Sequence, residues 1–122
     1  MFRFGRKNPD ESPSSEAIRE IHEEAELLEV LEQGPAVIYK HSNRCPLCFR
    51  SLKEIQKFSR ERPDVPVLQI DVIESRPLSD YVAERFETRH ESPQALLVQD
   101  GRVTWDASHL AVTASQLEAA LE

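Results

Sequence analysis

The only cysteines of the chain, Cys45 and Cys48, are separated by Pro46 and Leu47. They follow an apolar run at residues 36–39 that predicts a buried strand, and they precede a segment with helical periodicity. This arrangement places Cys45 at the N-terminus of a helix and Cys48 one turn along the same face. A C-x-x-C pair at a strand-to-helix turn indicates a thiol–disulfide redox site.

The position of the pair predicts a role for each cysteine. A cysteine at a helix N-terminus lies near unpaired backbone N–H groups, whose partial positive charge favours the thiolate. The thiolate is the form that attacks a disulfide sulfur. We therefore interpret Cys45 as the nucleophile and Cys48 as the resolving thiol. His41 and Arg44 flank the pair and could add positive charge.

The cysteines also lie in the one basic section of an acidic protein. The chain has a net charge of −7, but residues 35–63 are rich in Lys and Arg, including Lys40 and Arg50. Such a section can favour a thiolate and attract an anionic substrate. A solvated helix face is the plainer explanation.

Two other roles for the cysteines have to be weighed against redox chemistry. A zinc site needs four ligands, and a single C-x-x-C supplies two. His41, His90 and His109 could complete a site, but their spacing matches no zinc pattern, so we expect no bound metal. Inert buried thiols are the remaining alternative.

The segments around the cysteines predict a parallel β–α–β unit. Residues 35–41 form the first strand, and the helix begins at Pro46, which suits the first helical position because it has no N–H to satisfy. The helix ends before Pro63, and residues 65–72 form the second strand. The apolar stripe predicted for the core face of the helix is Phe49, Leu52, Ile55 and Phe58.

The N-terminal part of the chain has two possible interpretations. We expect residues 1–15 to be a flexible arm and residues 16–122 to be a single domain. Residues 16–33 are either one amphipathic helix, or a short strand at 17–21 followed by a helix that ends at Gln33. Gly34-Pro35 ends the helix in both cases.

The C-terminal part predicts a hairpin between two helices. A helix begins near Ser75, residues 95–98 form a strand, and Asp100-Gly101 is a two-residue hairpin turn before a strand at 102–105. A capping box at Thr113 opens a short last helix. The order of elements predicts an α/β, thioredoxin-like fold, in which helices flank a central mixed sheet of four to five strands.

Ser92-Pro93, just before the hairpin, is the second signal of a redox site. In this fold a proline at that place is usually cis, and it presents the backbone of the preceding residue to an extended substrate. We therefore predict that Ser92 and Pro93 bind substrate together with His41, Arg44 and Pro46.

Composition limits the partners and the location. No apolar run approaches the roughly 20 residues that cross a bilayer, and no apolar region follows the basic residues at the start of the sequence. The acidic net charge argues against nucleic acid as a partner. We expect a cytoplasmic, monomeric protein that does not bind membranes and acts on disulfide-containing proteins.

Four motifs in order make a family resemblance specific. They are K-H-S-x-x-C-P at residues 40–46, E-S-R-P-x-S at residues 74–79, R-H-E-S-P-Q-A at residues 89–95, and W-x-A-S-H at residues 105–109, which follows Asp100-Gly101. With these motifs the chain resembles the monothiol bacilliredoxins, thioredoxin-like proteins of bacteria that use bacillithiol in place of glutathione.

The resemblance implies a substrate and a co-substrate. Family members reduce mixed disulfides between bacillithiol and protein cysteines, so the partners would be S-bacillithiolated proteins and the low-molecular-weight thiol itself. No bound cofactor is implied; bacillithiol would be a co-substrate. The chain departs from the family at Cys48, where a non-cysteine, often Ser, is usual. The alternatives are a general thioredoxin- or glutaredoxin-like disulfide reductase, and a non-enzymatic redox-sensing or zinc-binding module.

Overall fold

The computed structural model describes residues 18–121. The predicted arm at residues 1–15 lies outside them, as do residues 16, 17 and 122. The elements in chain order are β1 (Ile18–Glu20), α1 (Glu24–Leu31), β2 (Ala36–His41), α2 (Pro46–Glu61), β3 (Val67–Asp71), α3 (Arg76–Arg85), β4 (Gln94–Gln99), β5 (Arg102–Ser108), a 3-10 turn (His109–Ala111) and α4 (Ala114–Ala120). No helix among residues 18–121 is long and apolar enough to cross a membrane.

The five strands form one mixed sheet in the order β1-β3-β2-β4-β5. β2 pairs parallel with β3, as the predicted β–α–β unit requires, and antiparallel with β4. β5 then pairs antiparallel with β4. Four helices of the described part of the chain flank this sheet, which confirms the predicted α/β class and a mixed sheet at the upper end of the expected strand number.

The central strand β2 is buried along its whole length and contributes to a core on each face of the sheet. Ile38 packs on one face with residues of α1 and α3, including Leu27 and Val82. Val37 and Tyr39 pack on the other face with residues of α2 and α4. This division follows from the alternation of side chains along a strand.

The N-terminal part of the domain follows the strand-then-helix interpretation, so the single-helix alternative is wrong. β1 pairs parallel with β3, and α1 begins only at Glu24. The Glu26 carboxylate accepts hydrogen bonds from the backbone N–H groups of His22 (2.9 Å) and Glu23 (3.1 Å), which satisfies donors at the start of the helix. Gly34 follows the helix with φ +146°, a conformation that favours glycine.

Helix α2 begins at Pro46 and ends at Glu61, as predicted, but its buried face differs from the predicted stripe. Ile55 and Phe58 are fully buried, whereas Phe49 is 48% exposed, so its assignment to the core was wrong. Ile55 lies six positions after Phe49, and at about 100° per residue the two side chains point about 120° apart around the helix. Cys48 takes the buried position instead.

In the last third of the domain, the turn and the helix cap agree with the predictions from the sequence. Asp100 and Gly101 have φ values of +55° and +78°, as a tight hairpin turn of the predicted kind requires. The Thr113 hydroxyl accepts a hydrogen bond from the Gln116 backbone N–H (3.3 Å) and caps α4, as predicted. β5 continues to Ser108, beyond the predicted end at residue 105, because its last residues pair with the start of β4.

The two phenylalanines of α2 provide a direct test of this packing. We expect Phe58→Ala to lower the free energy of unfolding by about 3–5 kcal/mol, because it leaves a cavity in a core without exposure to solvent. Phe49→Ala should cost less than about 1 kcal/mol, because nearly half of that side chain is already in water. Urea denaturation followed by circular dichroism measures both, and equal losses would contradict the packing described.

Candidate active site

The two cysteines differ in accessibility. Cys45 is the N-cap of α2 and is half-buried, whereas Cys48 is fully buried in the first turn. Both are free thiols, and the Cys48 backbone N–H donates to the Cys45 carbonyl at 3.0 Å. A disulfide in solution can therefore reach Cys45 first, and Cys48 is placed behind it.

A tight turn delivers Cys45 from the end of β2 to the start of α2. The Ser42 hydroxyl accepts from the Arg44 backbone N–H at 3.2 Å, and the Ser42 carbonyl accepts from the Cys45 N–H at 3.3 Å. Arg44 and Pro46 are exposed on either side of Cys45. Their predicted contact with substrate is compatible with this exposure and stays a prediction.

Tyr39 connects β2 to the first turn of α2. Its hydroxyl donates to the Cys48 carbonyl at 2.9 Å and lies 3.1 Å from His41 Nδ1. Because the hydroxyl has a single proton, it accepts from His41 Nδ1–H. Burial, and then the nearby Cys48 and Cys45, raise the pKa of Tyr39, so the hydroxyl keeps the proton that it donates.

His41 is turned into the protein. It is 3% exposed, its Nε2 lies 2.9 Å from Asn43 Oδ1, and its ring and the Phe49 ring are nearly perpendicular with centres 5.5 Å apart. Both ring nitrogens thus have partners within the protein. The predicted substrate-binding role of His41 stays a prediction, and its observed contacts order the turn before Cys45.

The segment before β4, residues 89–93, approaches the buried thiol of Cys48 at Ser92. The Ser92–Pro93 peptide bond is cis, as predicted, and the Ser92 hydroxyl lies 3.5 Å from Cys48 Sγ. Pro93 is buried, and its carbonyl accepts from the His109 N–H at 3.0 Å. The structure therefore brings Ser92 to Cys48, with Pro93 next to Ser92 in the chain, while their contact with substrate stays a prediction.

Residues 16–117 match the family model described as monothiol bacilliredoxin BrxC. The chain belongs to the monothiol bacilliredoxin family. The bacilliredoxin resemblance of its four motifs is thereby confirmed.

Solved structures similar to this chain confirm the fold. One protein, described as having a thioredoxin fold with an oxidoreductase activity assigned provisionally, is 27% identical with a TM-score of 0.83 over 92% of this chain and 100% of its own. Mitochondrial thioredoxin 3 from Saccharomyces cerevisiae is 20% identical, with a TM-score of 0.69 over 88% and 95%. Thioredoxin from Trypanosoma brucei brucei is 12% identical, with a TM-score of 0.72 over 98% and 95%. The domain has the predicted thioredoxin-like fold, and family and fold together support a thiol redox function.

The environment of Cys48 controls its ionisation. Burial raises the pKa of the Cys48 thiol, and its interaction with Cys45 acts in the same direction. Hydrogen bonds from the Ser92 hydroxyl and the Ser42 backbone act in the opposite direction but do not cancel the effect of burial. Because the thiolate is the attacking form, these two hydrogen bonds favour the reactive state of a thiol that burial otherwise keeps protonated.

Zinc binding finds no support in the arrangement of side chains. No group of three or more His, Cys, Asp or Glu side chains within residues 18–121 is placed to hold a metal ion. The neighbour of Cys48 across the site is the Ser92 hydroxyl, and His41 is occupied by Tyr39 and Asn43.

Lys40 is the residue near the site whose environment the sequence interpretation missed. It was counted among the bases of a solvated or positively charged section, but it is fully buried. Its Nζ donates to the Ser79 carbonyl at 3.0 Å and lies 3.1 Å from His90 Nδ1. Burial lowers the pKa of Lys40 to about 8, and Asp80 partly opposes this shift. The sequence feature that could have predicted this burial is the position of Lys40 inside an apolar strand that is covered on both faces.

Fewer bases of the basic section, residues 35–63, are therefore available as free exposed charges than the sequence suggested. Lys40 faces the interior, and Arg62 beyond the other end of α2 is paired with Asp64 and Glu118 at 3.1 and 3.2 Å. Among residues 40–50, the exposed bases are Arg44 and Arg50.

Lys40 predicts a distinctive dependence of stability on pH. Its pKa is lower in the folded protein than in the unfolded chain, where a lysine titrates near 10.4, so the unfolded chain binds more protons between these values. Stability relative to a Lys40→Met variant should therefore rise from pH about 8 to about 10.5, by about 3 kcal/mol. Urea denaturation of both proteins across this range measures the difference, in which the common titrations of Cys48 and Tyr39 cancel. A difference that does not change with pH would contradict this prediction.

Proposed function

We propose that this protein removes bacillithiol from S-bacillithiolated protein cysteines, with Cys45 as the nucleophile and Cys48 as the resolving thiol. The observation that carries the proposal is a half-buried cysteine at the start of α2, one turn before a buried thiol that contacts Ser92 of the cis Ser92–Pro93 segment, in a chain of the monothiol bacilliredoxin family. Bacillithiol joins cysteine, glucosamine and malate, so one end of the substrate is dianionic.

The first step is an exchange of one disulfide for another. The Cys45 thiolate attacks the bacillithiol sulfur of the mixed disulfide, the protein cysteine leaves as a thiolate and takes up a proton, and bacillithiol remains bonded to Cys45. Only Cys45 has the exposure that this attack needs, because Cys48 is fully buried beneath it.

The second step uses the departure of this chain from the family pattern. Cys48, one turn from Cys45, attacks Cys45 Sγ, bacillithiol leaves as a thiolate, and a Cys45–Cys48 disulfide forms. The two electrons that return this disulfide to two thiols come from a dithiol reductant or from further bacillithiol. A monothiol member lacks the internal step and depends on a second thiol molecule instead.

The surface around Cys45 supplies apolar and cationic contacts for such a substrate. Leu47 and Phe49 are 38% and 48% exposed on the first turn of α2, where a substrate protein can pack. Arg44 is exposed next to Cys45, and Arg50 lines a cavity of about 70 Å³ together with His109. We assign the dianionic malate end of bacillithiol to these two arginines.

One target protein, prepared with bacillithiol or with glutathione on the same cysteine, tests the proposal. We expect wild type to release bacillithiol faster than glutathione, because only bacillithiol carries the malate group. Cys48→Ser should accumulate bacillithiol on Cys45, since the resolving thiol is absent, and Cys45→Ser should be inactive. Intact-protein mass spectrometry follows both the target and the adduct on the enzyme.

Each result of this comparison has a separate meaning. Equal release of both thiols would contradict the bacillithiol specificity and indicate a general disulfide reductase. Full activity of Cys45→Ser would contradict the redox mechanism at this site. A Cys48→Ser variant that never retains bacillithiol would contradict the role of Cys48 as the resolving thiol.

The role of the arginines has its own matched control. Arg50→Gln should lower kcat/KM for the bacillithiol adduct about fivefold, because an exposed ion pair contributes about 1 kcal/mol or less, and the effect should shrink at high salt. Arg60→Gln removes the same charge from the same helix about 15 Å further along and should leave kcat/KM unchanged. Equal losses in both variants would indicate a general effect of net charge and contradict malate recognition by Arg50.

A further inference from the structure

A buried cation lies behind the active site, on the face of the sheet opposite the cysteines. Lys40 has no exposure to solvent, and its ammonium group donates to the Ser79 carbonyl of α3. Its other partner is Nδ1 of His90, which also lies 3.3 Å from the Ser79 hydroxyl. The cluster of Lys40, Ser79 and His90 therefore joins β2, α3 and the segment that precedes β4.

His90 and Ser92 belong to the same short segment, which is tied down at two further points. Gln94, the cross-strand neighbour of Lys40, donates from Nε2 to the Arg89 carbonyl at 2.8 Å. The Pro93 carbonyl accepts from the His109 N–H. Two residues beyond His90, the Ser92 hydroxyl reaches Cys48 Sγ. The position of Ser92 opposite the resolving thiol thus depends on how the whole segment is anchored.

We propose that Lys40 and His90 are positioning residues for the resolving step, because their contact holds the segment that places the Ser92 hydroxyl against Cys48. This inference rests on the proposed function, in which Cys48 attacks Cys45 Sγ. Neither residue touches the reacting sulfur atoms. Their effect passes through Ser92, whose hydrogen bond favours the Cys48 thiolate over the thiol.

The contact requires His90 to be neutral. Lys40 can only donate, so His90 Nδ1 must be the acceptor, and the ring proton is then on Nε2. Protonation of Nδ1 would place two positive groups 3.1 Å apart. His90 is exposed as a whole residue although its contact with Lys40 is part-buried, so solvent protons can reach the ring.

The charges around His90 act in both directions, and burial together with the Lys40 charge prevails. Burial and then Lys40 of β2 lower the pKa of His90, with a smaller contribution from Arg76 of α3. Asp80 of α3 and Glu91 of the same segment raise it. The contact is therefore intact at neutral pH and is lost only on acidification below the ordinary range of a histidine.

A chromophoric aromatic disulfide separates the two chemical steps. In the first step the Cys45 thiolate attacks one sulfur, releases one aryl thiolate and becomes an aryl mixed disulfide. In the second step the Cys48 thiolate attacks Cys45 Sγ, releases the second aryl thiolate and forms the Cys45–Cys48 disulfide. Both steps are disulfide exchanges that need no further oxidant, and stopped-flow absorbance records the two releases separately.

His90→Gln and Lys40→Met should slow the second release about fivefold, the effect expected from the loss of about one hydrogen bond, and leave the first release unchanged. Arg89→Gln, in the same segment but with a side chain that is 91% exposed, should match wild type in both steps. His90→Gln keeps the proposal testable if removal of the buried Lys40 prevents folding. Equal second-step rates in wild type and His90→Gln, or equal slowing of both steps, would overturn the inference.

A Ser92→Ala background tests the route of the effect. In that background His90→Gln should cause no further slowing, and a full additional fivefold loss would overturn the role of Ser92. The ratio of wild-type to His90→Gln second-step rates should stay constant near neutral pH and fall towards one on acidification below the ordinary range of a histidine, as His90 becomes charged. A ratio that stays constant on acidification as well would overturn the dependence on His90. Failure of wild type to give any second release would instead contradict the resolving role of Cys48 in the proposed function.

Discussion

The buried polar side chains at the end of β2 require hydrogen-bond partners, and the positions of these partners determine the arrangement of the site. This strand is buried on both faces, yet its last three residues are Tyr39, Lys40 and His41, which all carry polar atoms. A buried polar group without a partner costs on the order of 1–3 kcal/mol, so each of these side chains has to find one inside the protein. Their partners lie in α2, in α3 and in the segments before α2 and β4. Satisfying one strand therefore determines how the surrounding elements meet.

The alternation of side chains along β2 separates these contacts into two layers. Tyr39 and His41 point to the side of α2, where they hold the carbonyl of Cys48 and the turn before Cys45. Lys40 points to the side of α3, where it meets His90. Neighbouring residues of one strand thus reach Cys48 from opposite faces of the sheet, Tyr39 directly and Lys40 through the segment that carries Ser92.

The features that could be predicted from the sequence are those determined by a few adjacent residues. Pro46 at the start of α2, the Asp100-Gly101 turn and the Thr113 cap each follow from local backbone preferences, and each was predicted correctly. The features that were missed depend on packing between distant segments. Phe49 is three residues from Leu52 and so fits a helical stripe, but the face of α2 that packs against the sheet contains Ile55 and Phe58 and leaves Phe49 half-exposed. Lys40 is a basic residue in the sequence, and its burial depends on the docking of α3 and of the segment containing His90, about 40 and 50 residues away.

The support around Cys48 also explains how a chain of the monothiol bacilliredoxin family can carry a second cysteine at this position. The Tyr39 hydroxyl contacts the backbone carbonyl of residue 48, so this bond is independent of the side chain at that position. The Ser92 hydroxyl can hydrogen-bond a serine hydroxyl as readily as a thiol, because both are donors and acceptors. The scaffold is therefore compatible with Ser or Cys at position 48. What a cysteine adds there is a second sulfur, whose burial raises the pKa of its thiol and whose reactivity depends on the groups that stabilise the thiolate. A change from one to two thiols thus requires one substitution in a site whose hydrogen bonds already accommodate it.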